Sequence, residues 1–365
     1  MKQEDSFETG FAAGAASVPA CSQKVGQGSH SKSNATGKKA LMHVGTQGFG
    51  SSEEDLLFLK RCGVDNKVGS VRFNPGRGWD IDDICREKDQ HEKFGISMDM
   101  IPLPITGLKH IIYYGKSPER DREIDLACDM IRTAAKAEIP ALKYNTCILP
   151  IDRTDPEPGR GGYYHTALRL DKIPKEFSQK LTDAGRVTRE MFWERITYLL
   201  DRIVPVATEY KVRLANSQQD PPVPDGYRGV DKTLNTVDGM KRFIEIHRGP
   251  YHGWNFCIGS IGEMLEDPAS EICDVVRYFG ERDTIFLVHY RNIIGKRYSF
   301  REALPDEGDM NMYLVMKALK QVGYSYMVVP DHVPYCPDSP AGRREGYAFC
   351  FAYIKAMIQA VNDEV

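Results

Sequence analysis

The chain has 365 residues, a formal net charge of −3 and 41% hydrophobic residues. That length holds one large globular domain or two small ones. The near-balanced charge gives no basic footprint for nucleic acid, and no apolar run approaches the roughly 20 residues of a membrane helix.

Nine cysteines, an odd number, lie scattered, several of them inside apolar stretches. They point to reduced thiols in a cytoplasmic setting, not to a disulfide framework. Residues 1–39 are rich in Gly, Ala, Ser and Lys without a sustained period, as in a disordered tail. FAAGAASVPAC, residues 11–21, also has the outline of a degenerate export signal ending at Cys21. On that alternative the protein is periplasmic. Against it, Glu4, Asp5 and Glu8 precede the segment and Lys2 is the one basic residue there.

From residue 40 strands and helices alternate. ALMHVG (40–45) is the first strand, and Ser51, Ser52, Glu53 and Glu54 open the helix after it. GSVRFNP (69–75), ISMDMIP (96–102) and ALKYNTC (141–147) are the next strands. A long helix precedes the last of these, capped by Ser117 with Pro118 in its first turn. Its apolar stripe is Ile124, Ala127, Cys128, Ile131 and Ala134. Residues 151–186 break the rhythm and read as a functional loop or lid.

A helix with Phe192, Ile196, Leu199, Leu200 and Ile203 on one face follows, with a kink expected at Pro205. VRLAN (212–216), WNFCIG (254–259), IFLVHY (285–290) and YSYMVVP (324–330) complete eight strands, with helices between and a terminal helix after. RNIIGKRYSFREALPDEG reads as a loop. Eight such alternations predict a single-domain (β/α)8 TIM barrel over residues 40–365, with an open doubly wound sheet as the alternative. No GxGxxG follows the first strand and no GxxxxGK[ST] occurs, so nucleotide binding is not indicated.

Active sites of such barrels lie at the carboxyl ends of the strands. The residues expected there are His43, Asn74, Asp99, Tyr144, Asn145, Asn216, Ser217, Cys257, His289, Arg291, Asp331 and His332. Cys257, His289 and Asp331 end three consecutive strands. A thiolate, an imidazole and a carboxylate suit a borderline divalent ion better than Mg or Ca.

Several spaced motifs carry a family resemblance. TCILPIDRTD with HTALRLD, DPPVP, FCIGS, VHYRN, EGDMNMYLVMKAL and PDHVP occur in this order. Through most of residues 40–365 the chain resembles mannonate dehydratase, a metal-dependent sugar-acid dehydratase on a TIM barrel. The resemblance implies that Cys257, His289 and Asp331 bind the metal and that His332 is catalytic. It makes Tyr347 the best match for the catalytic tyrosine. The position of the family's fourth ligand, a histidine, holds Ser217. The implied cofactor is Mn or Fe, with Zn, Co or Ni as alternatives. The implied reaction converts a sugar acid such as D-mannonate to 2-keto-3-deoxygluconate.

Dehydration of a sugar acid removes a proton next to a carboxylate, so a cation must hold that carboxylate. Arg153 and Arg291 are the candidate clamps, with Tyr144 and Asn145 as further substrate contacts. The alternatives are a sugar isomerase or epimerase on the same barrel, or a barrel whose weakened metal site leaves little activity. The expected partner is a small sugar acid, without nucleic acid or a membrane span, and the expected assembly is a homo-oligomer.

Overall fold

The computed structural model describes residues 40–364, and the expectations for residues 1–39 fall outside them. The first strands are β1 (His43–Thr46), β2 (Asn66–Val68), β3 (Ser97–Pro102) and β4 (Ala141–Tyr144). Next come β5 (Thr154–Pro158) and β6 (Tyr164–Arg169), then β7 (Arg213–Ser217), β8 (His252–Cys257) and β9 (Ile285–His289). The last are β10 (Asn292–Lys296), β11 (Ser299–Ala303) and β12 (Met327–Val329). Eight of them close into a parallel barrel in the order β1-β12-β9-β8-β7-β4-β3-β2. The open sheet is thereby excluded.

The helices are α1 (Glu53–Arg61), α2 (Ile81–Glu92), α3 (Pro118–Lys136), the short α4 (Lys175–Gln179) and α5 (Arg189–Tyr210). After them come α6 (Val237–Ile246), the short α7 (Ile258–Gly262), α8 (Pro268–Gly280), α9 (Met312–Gln321) and α10 (Arg343–Asp363). Ser52, Ser117 and Thr188 cap α1, α3 and α5 by accepting from backbone N–H groups three residues on, which satisfies donors a helix start leaves open. The stripes foreseen on α3 and α5 are buried, and the two helices pack together. α5 runs through Pro205 to Tyr210.

The second strand is Asn66–Val68, not residues 69–75. The alternation of Val71 and Phe73 misleads, because both pack on the outer core from a loop. That loop closes in a turn where Gly78 and Arg77 donate to the Asn74 carbonyl. Residues 151–186 and the stretch after β9 are not plain loops either. β5 and β6 join β10 and β11 in an antiparallel sheet ordered β10-β11-β6-β5. Each hairpin finds its partner more than a hundred residues away, so no local pattern announces the pairing. Both hairpins follow barrel strands and stand at the carboxyl end of the barrel.

His43 and Asp99 are not at that end. His43 is the first residue of β1 and lies 3.4 Å from Asp99, which also accepts from Asn66, the first residue of β2. Their strands begin later along the chain than expected, so both residues belong to the amino-terminal mouth.

The barrel interior contains Val68, Met100, Ala141, Ala215, Leu287, Met327 and Val329. Side chains alternate along a strand, so the residue two further on points the same way. From Ala141, Ala215, Leu287 and Val329 this rule leads to Lys143, Ser217, His289 and Asp331. From Gly45 and Asn255 it leads to Gln47 and Cys257. These six residues face the interior near the carboxyl mouth, at heights set by the register of their strands.

Candidate metal centre and active site

Register brings the ligand-type residues together. Cys257 pairs with His289 across β8 and β9, and His289 pairs with Val329, two residues before Asp331. One ligand atom from each of Cys257, His289 and Asp331 lies within 4.8 Å of the others. Cys257 Sγ is 3.7 Å and His289 Nδ1 is 3.2 Å from Asp331 Oδ2. Donors bound at about 2.0–2.3 Å in a tetrahedral shell stand about 3.3–3.8 Å apart, so this spacing suits one shared ion.

The electrostatics agree with a cation between these groups. The other ring nitrogen of His289, Nε2, is buried and has no hydrogen-bond partner among the described residues. Burial pushes the Cys257 thiol up to about 12, Asp331 and Asp220 add to it, and Arg291 opposes. Burial lowers the His289 pKa against the pull of Asp331, so the ring is neutral as a ligand must be. Burial disfavours the Asp331 carboxylate, but His289, His332 and Arg291 together hold its pKa well below the usual range. Gln47 Nε2 donates to Asp331 Oδ1 at 2.7 Å. A divalent ion would turn the thiol into the thiolate the set lacks.

Ser217 stands one step lower. It pairs with Asn255, two residues before Cys257, and its hydroxyl accepts from Asn255 Nδ2 at 3.0 Å. Ser217→His should therefore add a donor long enough to rise toward the cluster. We expect it to tighten Mn binding by roughly 10–100-fold, the range seen when groups that support a metal site are changed. Calorimetric titration of both forms checks this, and equal affinities would show that Ser217 lies away from the ion.

Beside the cluster lies a buried ion network. Arg153 Nη2 is 2.6 Å from Asp220 and 2.7 Å from Glu302. Arg291 contacts Asp220 at 2.9 Å, Glu263 at 2.5 Å and Glu302 at 3.3 Å. Ser260 donates to Asp220 at 3.0 Å. Burial, with repulsion from Asp220, raises the Glu263 carboxyl to about 8, so it is largely protonated at neutral pH. Burial opposes the charge of Glu302, but Arg291 and His332 bring its pKa down to about 2. Asp220, Glu302 and His332 also offer ligand atoms within 4.8 Å. The guanidiniums already occupy those carboxylates.

His332 follows Asp331 with φ at +41°. That backbone conformation costs a non-glycine residue about 1–3 kcal/mol. It turns Nδ1 onto Glu302 at 2.8 Å and places Nε2 3.9 Å from Asp331 Oδ2. Burial would lower the His332 pKa, yet Asp331 and Glu302 raise it to about 9. Tyr347, in the second turn of α10, is buried against Phe49 and Phe351. Burial raises its pKa, and the field of Asp331 also reaches it.

The remaining expected contacts divide by strand parity. Tyr144 belongs to the core between barrel and helices, because Lys143, not Tyr144, faces the barrel interior. Asn145 Oδ1 accepts from the Cys147 N–H at 2.6 Å and shapes the loop. Arg153 and Arg291 lie in the ion network, their guanidiniums on the protein's own carboxylates. Sequence reasoning passed over Gln47, Lys143, Asp220, Glu263 and Glu302. The first two show themselves only once the structure fixes which face of β1 and β4 turns inward, whereas Asp220 stood inside the quoted DPPVP motif.

A family model described as D-mannonate dehydratase (UxuA) matches residues 162–364, more than half of the chain. The fold and the family match thus define a barrel enzyme of the carbon–oxygen lyase class. The chain belongs to the mannonate dehydratase family, whose reaction is the dehydration of a sugar acid.

Similar proteins include the mannonate dehydratase of Thermotoga petrophila, 28% identical over 74% of this chain and 82% of that one. Mannonate dehydratase 2 of Halalkalibacterium halodurans is 26% identical over 80% of this chain and 90% of that one. The structure of mannonate dehydratase from Streptococcus suis serotype 2 superposes with a TM-score of 0.74 at 23% identity, over 88% of this chain and 94% of that one. A xylose isomerase domain protein from Planctomyces limnophilus has a TM-score of 0.56 at 12% identity, over 90% of this chain and 99% of that one. At these identities the structural likenesses speak for the fold. Among the described residues no helix is long and apolar enough to cross a membrane.

Proposed function

We propose that this enzyme converts D-mannonate to 2-keto-3-deoxygluconate with a divalent ion, Mn or Fe, at Cys257, His289 and Asp331. The observation that carries the proposal is the convergence of these three donors beside His332 at the barrel mouth. A bound ion would supply Lewis-acid stabilisation of the charge that develops when the α-proton leaves.

The chain's own residues supply the rest. Removing the α-proton and expelling the β-hydroxyl needs a base and an acid within reach of one substrate. His332 and Tyr347 form that pair. Glu302 takes His332 Nδ1, which leaves Nε2 to face the substrate in a fixed orientation. Gln47 steadies Asp331 through its second oxygen. The Asp220, Glu263 and Glu302 network with Arg153 and Arg291 keeps that wall rigid. A role of either arginine as a substrate clamp would require it to exchange an internal carboxylate for the substrate's. A reducing, cytoplasmic setting suits a site that depends on the Cys257 thiol. Incubating the purified chain with D-mannonate and Mn, and identifying the product, tests the proposal. An epimerised or isomerised sugar acid in place of the keto-deoxy product would overturn it.

A further inference from the structure

We propose that Lys143 is the cation that receives the substrate's carboxylate. This rests on the reading of the substrate as a sugar acid and adds where its charged end binds.

Several cations stand around the barrel mouth, and most are already paired. Arg153 is held by Asp220 and Glu302, and Arg291 by Asp220 and Glu263. His332 Nδ1 is held by Glu302. Arg228 pairs with Asp152. Lys232 is fully buried and donates to the Pro221 carbonyl at 2.8 Å. Lys143 differs from the arginines and from His332 in its partners, and from Lys232 in its exposure. Among the described residues no carboxylate lies within ion-pair distance of its ammonium, which donates to a neutral acceptor, Gln47 Oε1. It is also partly exposed, whereas its strand neighbours Leu142 and Tyr144 are buried.

Position supports the same role. Lys143 pairs with Ala215 across β4 and β7, and Ala215 lies in the barrel interior. The ammonium therefore rises into the mouth along the interior face. It is linked to the ligand cluster by the chain Lys143, Gln47, Asp331, and its charge reaches both Asp331 and His289. An ammonium taken out of bulk water without a counter-ion is costly, and a carboxylate supplies what is missing. A carboxylate held there lies next to the donor cluster, where charge develops as the α-proton leaves. Flexible, compact and without a fixed partner, Lys143 can follow a ligand in a way that the two saturated guanidiniums do not.

The test compares wild type, Lys143→Met and Lys143→Arg, each full length and loaded with Mn. D-mannonate and its uncharged counterpart D-mannitol serve as the probes. Calorimetry gives the two dissociation constants, and steady-state assays give KM and kcat. Lys143→Met should weaken D-mannonate binding roughly 10–100-fold, the effect of losing one charge-assisted hydrogen bond. D-mannitol binding should stay unchanged, and Lys143→Arg should recover most of the preference for the acid. Mn affinity should be unchanged or higher, because a like charge has been removed. Equal weakening toward both probes, or D-mannonate affinity within twofold of wild type, overturns the proposal. A wild-type chain that binds D-mannonate without dehydrating it overturns the reaction assigned above and leaves Lys143's role open to the same comparison of binding constants. A wild-type chain that binds neither probe overturns both.

Discussion

His332→Gln should lower turnover of the sugar acid by about 10²–10⁴-fold, the range for removing a positioned proton-transfer group. Its Mn content should stay that of wild type. Glutamine keeps a polar side chain of similar reach but has no titratable proton. The metal donors Cys257, His289 and Asp331 are untouched, so the loss should fall on kcat more than on ion binding. The positive φ of His332 and its 2.8 Å contact with Glu302 hold the ring where it is. A side chain kept in a strained backbone conformation by a buried carboxylate is placed for a task. Steady-state kinetics with metal analysis of the same preparation checks the result. Turnover within threefold of wild type would remove His332 from the proton-transfer pair.

Arg291→Met should destabilise the folded chain by about 3–5 kcal/mol, the cost of breaking a buried ion pair from one side. The Arg291 side chain is 1% exposed and serves Asp220, Glu263 and Glu302, with Asp331 Oδ2 3.5 Å from Nε. Methionine fills part of the volume but leaves the Asp220 and Glu302 carboxylates without their shared cation and Glu263 without its hydrogen-bond donor. Arg153 compensates only in part, since it contacts Asp220 and Glu302 and stands 3.8 Å from Glu263. The fit around the guanidinium is close. A Cβ added at Gly259 would come within 2.7 Å of the Arg291 side chain. Urea unfolding followed by circular dichroism measures the effect, and a loss below about 1 kcal/mol would mean that water or proton uptake, not Arg291, balances these charges.

The barrel was legible because its strands are short apolar runs that stop at chemical residues. Cys257, His289 and Asp331 end three consecutive runs, and closure of the sheet does the rest. Lys143 and Gln47 were hidden for a different reason. ALKY alternates whichever face is turned inward, and only the interior position of Ala141 decides between Lys143 and Tyr144. Glu302 was hidden because it lies in a stretch that reads as a loop, and its partners Arg153, Arg291 and His332 come from three other segments of the chain. Arg153 and Arg291 were visible as charges but not as halves of ion pairs. Their carboxylates come from the loop after β7, the end of α7 and β11, which approach one another only in the folded chain.

The central claim is a metal-assisted dehydration at Cys257, His289 and Asp331. Its most direct test follows keto-deoxy product from D-mannonate in one preparation as isolated, after chelation, and after Mn or Fe is returned. We expect product formation that falls to background on chelation and recovers with either ion in wild type, but with neither ion in Asp331→Asn. Undiminished turnover after complete removal of metal, or full recovery in Asp331→Asn, would contradict it.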